Sequence, residues 1–114
     1  MGIVGIIIAL SLAPHVVAAQ SYDCVGSDPD WQLSMTPNAA TFSFADRQST
    51  MDIPQKSIAE GAEWPQAMTI VGPRDSAIVL LDQKHCGTGD IAAHVMTQRG
   101  QTPILLTGCC ARRD

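Results

Sequence analysis

The sequence WQLSMTPNAATFSF, residues 31–44, gives the clearest indication of the fold class. Apolar and polar residues alternate over residues 31–35 and again over residues 40–44, and the turn-forming residues Thr36-Pro37-Asn38 separate the two runs. Because successive side chains of a β-strand point to opposite faces, this period of two is typical of strands with one buried face. The stretch therefore predicts two half-buried strands with a turn between them.

Further short apolar runs follow the first two, and turn residues separate them. They occupy residues 50–53, 66–71, 77–81, 91–98 and 104–106. Strands that recur at such short intervals are typical of antiparallel sandwiches and barrels. We therefore predict an all-β domain, a small antiparallel β-barrel or sandwich of about seven strands. Residues 57–64 are compatible with one or two helical turns, a strand edge or a loop.

The composition bounds both the size of the protein and its partners. The 114 residues permit one small domain and exclude a multidomain enzyme. Lys and Arg number 7 against 11 Asp and Glu, which gives a formal net charge of −4. Since binding to nucleic-acid phosphates needs concentrated positive charge, we predict no nucleic-acid partner.

Residues 1–19 have the pattern of a secretory signal peptide. An apolar run over residues 3–12 is followed by the helix-breaking Pro14 and by small residues, Val17 and Ala19, at positions −3 and −1 of a cleavage site. The run is shorter than the roughly 20 residues that a transmembrane helix needs. We therefore predict a signal peptide over residues 1–19 and a single exported β domain over residues 20–114, periplasmic or secreted, with no stable membrane span after removal of the leader. The lack of Lys and Arg before the run leaves an uncleaved anchor as the alternative.

The cysteines predict two disulfides. All four, Cys24, Cys86, Cys109 and Cys110, follow the leader, and an even number of cysteines in a short exported chain is typical of a disulfide framework. Cys109 and Cys110 are adjacent, so on a strand they point to opposite faces and a bond between them would strain the backbone. Each of them should therefore bond to Cys24 or Cys86, and both such pairings stay open.

A metal site is the alternative interpretation of the same region. It would combine the cysteines with His85 and His94, but no C-x-x-C or H-x-x-x-H spacing occurs among them. An oxidising compartment also favours disulfides over thiolate ligands. We therefore predict no metal site and no cofactor.

Three stretches together resemble a family of small uncharacterised exported bacterial proteins. Residues 22–33, YDCVGSDPDWQL, are similar to its G-x-x-P-x-W opening, and residues 86–90, CGTGD, are similar to its Cys-led turn before a strand. Residues 106–112, LTGCCAR, are similar to its G-C-C-x-R close. The chain departs from the family at Asp30, where an aromatic residue is common, and after Cys86, where a Tyr-Pro pair is usual.

The resemblance implies a compact β-barrel-like domain of the kind likened to lysozyme-inhibitor and heat-shock lipoprotein modules. It brings no established activity. The resemblance also implies the pairing Cys86–Cys109 and Cys24–Cys110. Family members that end in a single cysteine suggest that the first Cys of the adjacent pair, Cys109, is the one that bonds to Cys86.

The segment Asp28-Pro29-Asp30-Trp31 is the candidate binding surface, because it places two carboxylates beside a large aromatic ring. No nucleophile–base pair can be assembled from the sequence, so we predict no catalytic residues and no enzyme. The leading hypothesis is a non-catalytic module that binds a protein, a cell-wall component or a small ligand through Asp28, Asp30 and Trp31. One alternative is a cell-envelope enzyme that uses Asp28, Asp30 and His94, and another is a purely structural envelope protein. The turn could also be inert, with Trp31 in the core.

Overall fold

A computed structural model describes residues 20–113, which form an eight-stranded antiparallel barrel. The strands are β1 (Ser21–Gly26), β2 (Trp31–Met35), β3 (Ala39–Phe44), β4 (Arg47–Ile58), β5 (Gln66–Val71), β6 (Ser76–Cys86), β7 (Gly89–Arg99) and β8 (Thr102–Arg113). Each strand pairs with the next one along the chain, and β8 pairs with β1. Closure in this way gives each of the eight strands a neighbour on both sides. The predicted signal peptide lies outside the described residues.

The prediction of a small antiparallel barrel is confirmed, with eight strands where about seven were expected. The additional strand is β1, in which Tyr22 and Cys24 point inward and Asp23 and Val25 point to solvent. Polar and charged residues surround its short alternating run, which hides the pattern. Residues 57 and 58 end β4, and residues 59–65 form a loop, so no helix occurs between residues 20 and 113.

The barrel interior is filled by side chains. In β2 the burial alternates strictly, with Trp31, Leu33 and Met35 inside and the two residues between them exposed. The other strands contribute inward-facing residues in the same way, and 18 buried hydrophobic residues within residues 20–113 form one core.

The two disulfides fasten opposite faces of β8. Cys24 and Cys110 are direct cross-strand partners, with Cα atoms 4.0 Å apart, and both are buried inside the barrel. Cys109 points to the outside and bonds to Cys86, at the end of β6, with Cα atoms 5.6 Å apart. The expected pairing is therefore confirmed, and the alternation of neighbouring side chains along β8 is its physical cause.

The barrel has two ends with different contents. The turn end, as we call it, carries the β1–β2, β3–β4, β5–β6 and β7–β8 turns, which comprise residues 27–30, 45–46, 72–75 and 100–101. The opposite end, which we call the terminal end, carries the other three connections together with Gln20 and Arg113. Within residues 20–113 no helix has the length and apolar character to cross a membrane.

Candidate functional site

The predicted binding segment lies at the turn end, and its residues differ in exposure. Asp28 and Asp30 are exposed in the β1–β2 turn. Trp31 is only 3% exposed, and its indole Nε1 donates a hydrogen bond to the carbonyl oxygen of Thr107 at 3.1 Å. The tryptophan therefore fixes the position of the turn, while the two carboxylates are available to a partner.

A cleft of about 620 Å³ adjoins this segment, and we call it the acidic cleft. Asp30 and Trp31 line one side of it, and Phe44, Asp46 and Arg47 line the other. Asp46 lies in the β3–β4 turn, so the structure brings a third carboxylate to the surface that the sequence predicted. The prediction missed Asp46 because nothing in the sequence indicates how the β3–β4 turn sits beside the β1–β2 turn.

A second cleft, of about 490 Å³, lies on the other side of the β3–β4 turn, and we call it the arginine cleft. Arg47, Arg74 and Arg99 line it together with Asp75. The three arginines come from the start of β4, the β5–β6 turn and the end of β7. Sequence reasoning did not single them out, because they are far apart along the chain and only the strand order brings them together.

An aromatic stack separates the two clefts and closes the turn end. The rings of Trp31 and Phe42 meet edge to face with centroids 6.4 Å apart, and Phe42 stacks on Phe44 at 6.1 Å. The guanidinium carbon of Arg99 lies 5.1 Å from the centroid of the Phe44 ring. A cation at this distance is attracted by the ring face, so Arg99 is held over the stack.

The charges of the arginine cleft are largely uncompensated by direct contact. The Asp75 carboxylate accepts a hydrogen bond from the Ser49 hydroxyl at 2.7 Å. Among residues 20–113 no ion pair joins Asp75 or any other acid to the three arginines of the cleft, whereas Arg113 and Asp23 pair at 3.6 Å elsewhere on the barrel. The cleft thus presents three guanidinium groups and one carboxylate.

The terminal end carries a second polar group of residues. Burial raises the pKa of Tyr22 above its usual value, and the positive charge of Arg112 acts in the opposite direction. Arg112 also lies over the ring of Trp64, 5.7 Å from its centroid. The Gln66 side-chain amide donates to the Glu63 carbonyl at 3.1 Å, while its buried Oε1 has no hydrogen-bond partner. This group contributes to the packing of the barrel end.

The residues of the enzyme alternative are not joined in the structure. His94 lies on the outer face of β7, where its cross-strand partners are Leu80 and Thr107. No hydrogen bond or ion pair links it to Asp28 or Asp30 in the part of the chain that the structure describes. Over the same residues, no group of three or more His, Cys, Asp or Glu side chains is arranged to hold a metal ion.

None of the protein-family models, curated proteins or solved structures compared with this chain matches it. The resemblance of its opening and closing motifs to a family of exported bacterial proteins therefore stays a prediction.

Proposed function

We propose that the protein is an exported, non-catalytic binding module that holds a basic partner at the acidic cleft. The observation that carries the proposal is the position of the recessed surfaces. The acidic cleft and the arginine cleft both border Arg47 at the turn end, while the barrel interior is filled by apolar side chains. Turns on a rigid sheet are the usual place for binding residues, because the scaffold fixes them while their side chains stay accessible.

The charge of the acidic cleft supports a basic partner. Asp28, Asp30 and Asp46 are exposed carboxylates on two neighbouring turns. Asp30 and Asp46 line the cleft together with a single cation, Arg47, so its charged groups are mainly negative. Negative potential attracts a basic partner and speeds its approach, and the net charge of −4 acts in the same direction. Because Trp31 anchors the β1–β2 turn to β8, the carboxylates of Asp28 and Asp30 have a defined position before a partner arrives.

Export is supported by the disulfides as well as by the leader. Two disulfides in a small domain are typical of an oxidising extracellular or periplasmic compartment. The apolar run and the small residues before Gln20 have the pattern of a signal peptide that would direct secretion. We therefore propose that the mature domain lies outside the cytoplasm, in the periplasm or in the medium.

The experiment is a titration of the oxidised domain with a penta-lysine peptide at low salt, in which NMR chemical shifts of the backbone amides report binding. The Asp28→Asn/Asp30→Asn variant should bind about threefold more weakly, because surface ion pairs contribute up to about 1 kcal/mol. Asn is chosen because Asp28 has a φ of 58°, a left-handed conformation that Asn tolerates.

The matched control is Asp52→Asn/Asp90→Asn, which removes the same charge from exposed positions outside the acidic cleft. It should bind the peptide as the wild type does. Equal weakening in the two variants, or peptide-induced shifts away from residues 27–31 and 45–47, would overturn the proposed site.

A further inference from the structure

We propose that the arginine cleft is a separate binding site for a small organic anion. A phosphate or carboxylate group would be held by Arg74 and Arg99, and the organic part of the ligand would contact Phe44. The two clefts share Phe44 and Arg47, but Arg74 and Arg99 line the arginine cleft alone, so the anion site can be tested independently of the basic partner.

The distribution of charge is the first argument. The full chain contains 7 Lys and Arg against 11 acids, yet three arginines and one acid line this cleft. Like charges that converge repel one another, and an anion between them relieves that repulsion. Each guanidinium can also present two parallel N–H donors, which match the geometry of a carboxylate or a phosphate.

The geometry of the neighbouring turn is the second argument. The amide of Gly72 donates to the Asp75 carbonyl at 2.7 Å, which closes the β5–β6 turn and fixes the backbone that carries Arg74. The Asp75 side chain accepts the hydroxyl of Ser49 on β4. The one acid of the cleft therefore forms a contact within the scaffold, and the arginines remain free to bind a ligand.

The size and the apolar wall of the cleft indicate more than an inorganic ion. Phe42, Phe44 and Ala45 form one wall, and Arg99 lies against the face of Phe44. A volume of about 490 Å³ falls in the range of sites for small organic ligands. The observations therefore favour a phosphate or carboxylate that carries an aromatic or similar apolar substituent.

The test is a low-salt NMR titration of the oxidised domain with phenyl phosphate, inorganic phosphate and benzyl alcohol. We expect saturable shifts at residues 44–49, 74–76 and 97–100, with phenyl phosphate binding more tightly than inorganic phosphate and benzyl alcohol not binding. The Arg74→Gln/Arg99→Gln variant should bind phenyl phosphate at least about tenfold more weakly, because it removes two charged donors whose hydrogen bonds to an anion are stronger than those of neutral groups.

The control variant Lys56→Gln/Lys84→Gln removes the same charge from exposed positions on β4 and β6 outside the cleft, and it should stay within about twofold of the wild type. Asp75→Asn should tighten binding about threefold, because it removes the one negative charge of the cleft. It also keeps the arginines intact, so it tests the site if the double arginine variant does not fold.

Several outcomes would overturn the site. One is that the wild type shows no saturable binding of phenyl phosphate, and another is that it binds inorganic phosphate equally well. The others are that Lys56→Gln/Lys84→Gln loses as much affinity for phenyl phosphate as the double arginine variant, or that Asp75→Asn binds it more weakly than the wild type. Two cross-tests separate a failure of this site from a failure of the proposed function. The Arg74→Gln/Arg99→Gln variant should still bind penta-lysine. The Asp28→Asn/Asp30→Asn variant should still bind phenyl phosphate.

Discussion

The indole N–H of Trp31 on β2 donates a hydrogen bond to the carbonyl oxygen of Thr107 on β8, at 3.1 Å and across the end of β1. Two glycines make room for this contact. A Cβ on Gly26 would collide with the indole nitrogen, and a Cβ on Gly108 would lie 2.7 Å from the Cζ2 atom of Trp31 and collide with the Val25 carbonyl oxygen. The tryptophan therefore ties three neighbouring strands together directly beneath the acidic cleft.

We expect Gly108→Ala to lower the free energy of unfolding by about 3 kcal/mol, because the added methyl meets backbone as well as the indole and cannot be accommodated by a rotamer change. Urea denaturation followed by tryptophan fluorescence measures the effect.

Gly89→Ala is the matched control. Gly89 also lies on a strand, but its Cβ would make ordinary contacts, the nearest at 3.5 Å to the Cys110 carbonyl oxygen. Its substitution should change the free energy of unfolding by no more than about 0.5 kcal/mol. A loss at Gly108 no larger than the loss at Gly89 would contradict the close packing inferred for Trp31.

The two disulfides should differ in their contributions to stability. Cys24–Cys110 closes a separation of 86 residues and Cys86–Cys109 one of 23, so the chain-entropy relation gives about 4.6 and 3.4 kcal/mol respectively. Cys24→Ala/Cys110→Ala also leaves a gap in the core, whereas Cys86→Ala/Cys109→Ala does not. We therefore expect the first variant to have the lower Tm in calorimetry.

Burial predicts the order of reduction as well. Both sulfurs of the Cys24–Cys110 bridge belong to residues no more than 3% exposed, while Cys86 and Cys109 are half-buried. Limited dithiothreitol followed by peptide mapping should show Cys86–Cys109 reduced first. Simultaneous loss of both bridges, or the reverse order, would contradict this assignment.

The sequence predicted the fold where its pattern was local. Alternation in residues 31–35 and 40–44 corresponds to β2 and β3, and the adjacency of Cys109 and Cys110 predicted that they bond to different partners. The strand β1 was not predicted from the sequence, because Cys24 can be recognised as inward-facing only when its cross-strand partner Cys110 is known. Closure of the barrel depends on the pairing of β1 with β8, a contact between the two ends of the domain that no local pattern encodes.

The candidate site was predictable only in part for the same reason. Asp28, Asp30 and Trp31 are neighbours in sequence, so their proximity could be inferred directly. Arg74 and Arg99 line the same cleft only because the strand order and the lengths of the four turns at the turn end bring them to one place. Each of them alone is an ordinary surface residue, and their joint chemistry exists only in the folded barrel.

The β3–β4 turn should be improvable by substitution. Phe44 pairs with Arg47, so Ala45 and Asp46 form a two-residue loop, and both have a positive φ, 54° and 64°. Such loops favour Asn followed by Gly, because a side chain in the left-handed region costs about 1 kcal/mol or more per residue. Ala45→Asn/Asp46→Gly is therefore expected to stabilise the barrel by about 1 kcal/mol, which thermal denaturation measures as a higher Tm.

Asp46→Asn is the matched control, since it removes the same charge and retains a side chain in the left-handed region. It should leave Tm nearly unchanged. A Tm for Ala45→Asn/Asp46→Gly at or below that of the Asp46→Asn variant would show that the turn is not under backbone strain.

Tyr22 gives a prediction about alkaline pH. The side chain is 3% exposed, and burial raises its pKa above the usual 10.0, an effect to which the nearby Glu63 carboxylate adds and which the Arg112 guanidinium opposes. The folded state therefore holds the phenolic proton more tightly than the unfolded state does. Its contribution to stability is complete below pH 10.0 and is lost as the pH rises through the elevated pKa of the folded protein.

Since Tyr22 is the one tyrosine of the chain, phenolate absorbance follows it without ambiguity. We expect a higher titration midpoint in the folded protein than in the same protein unfolded by guanidinium. Arg112→Gln should raise the midpoint further, because it removes the charge that favours the phenolate. Tyr22→Phe should lose less stability than the wild type between neutral pH and pH values above the unfolded pKa. A folded midpoint at or below the unfolded one would show that solvent reaches the hydroxyl and that the terminal end of the barrel is open around it. A decrease on Arg112→Gln would show that the guanidinium does not favour the phenolate.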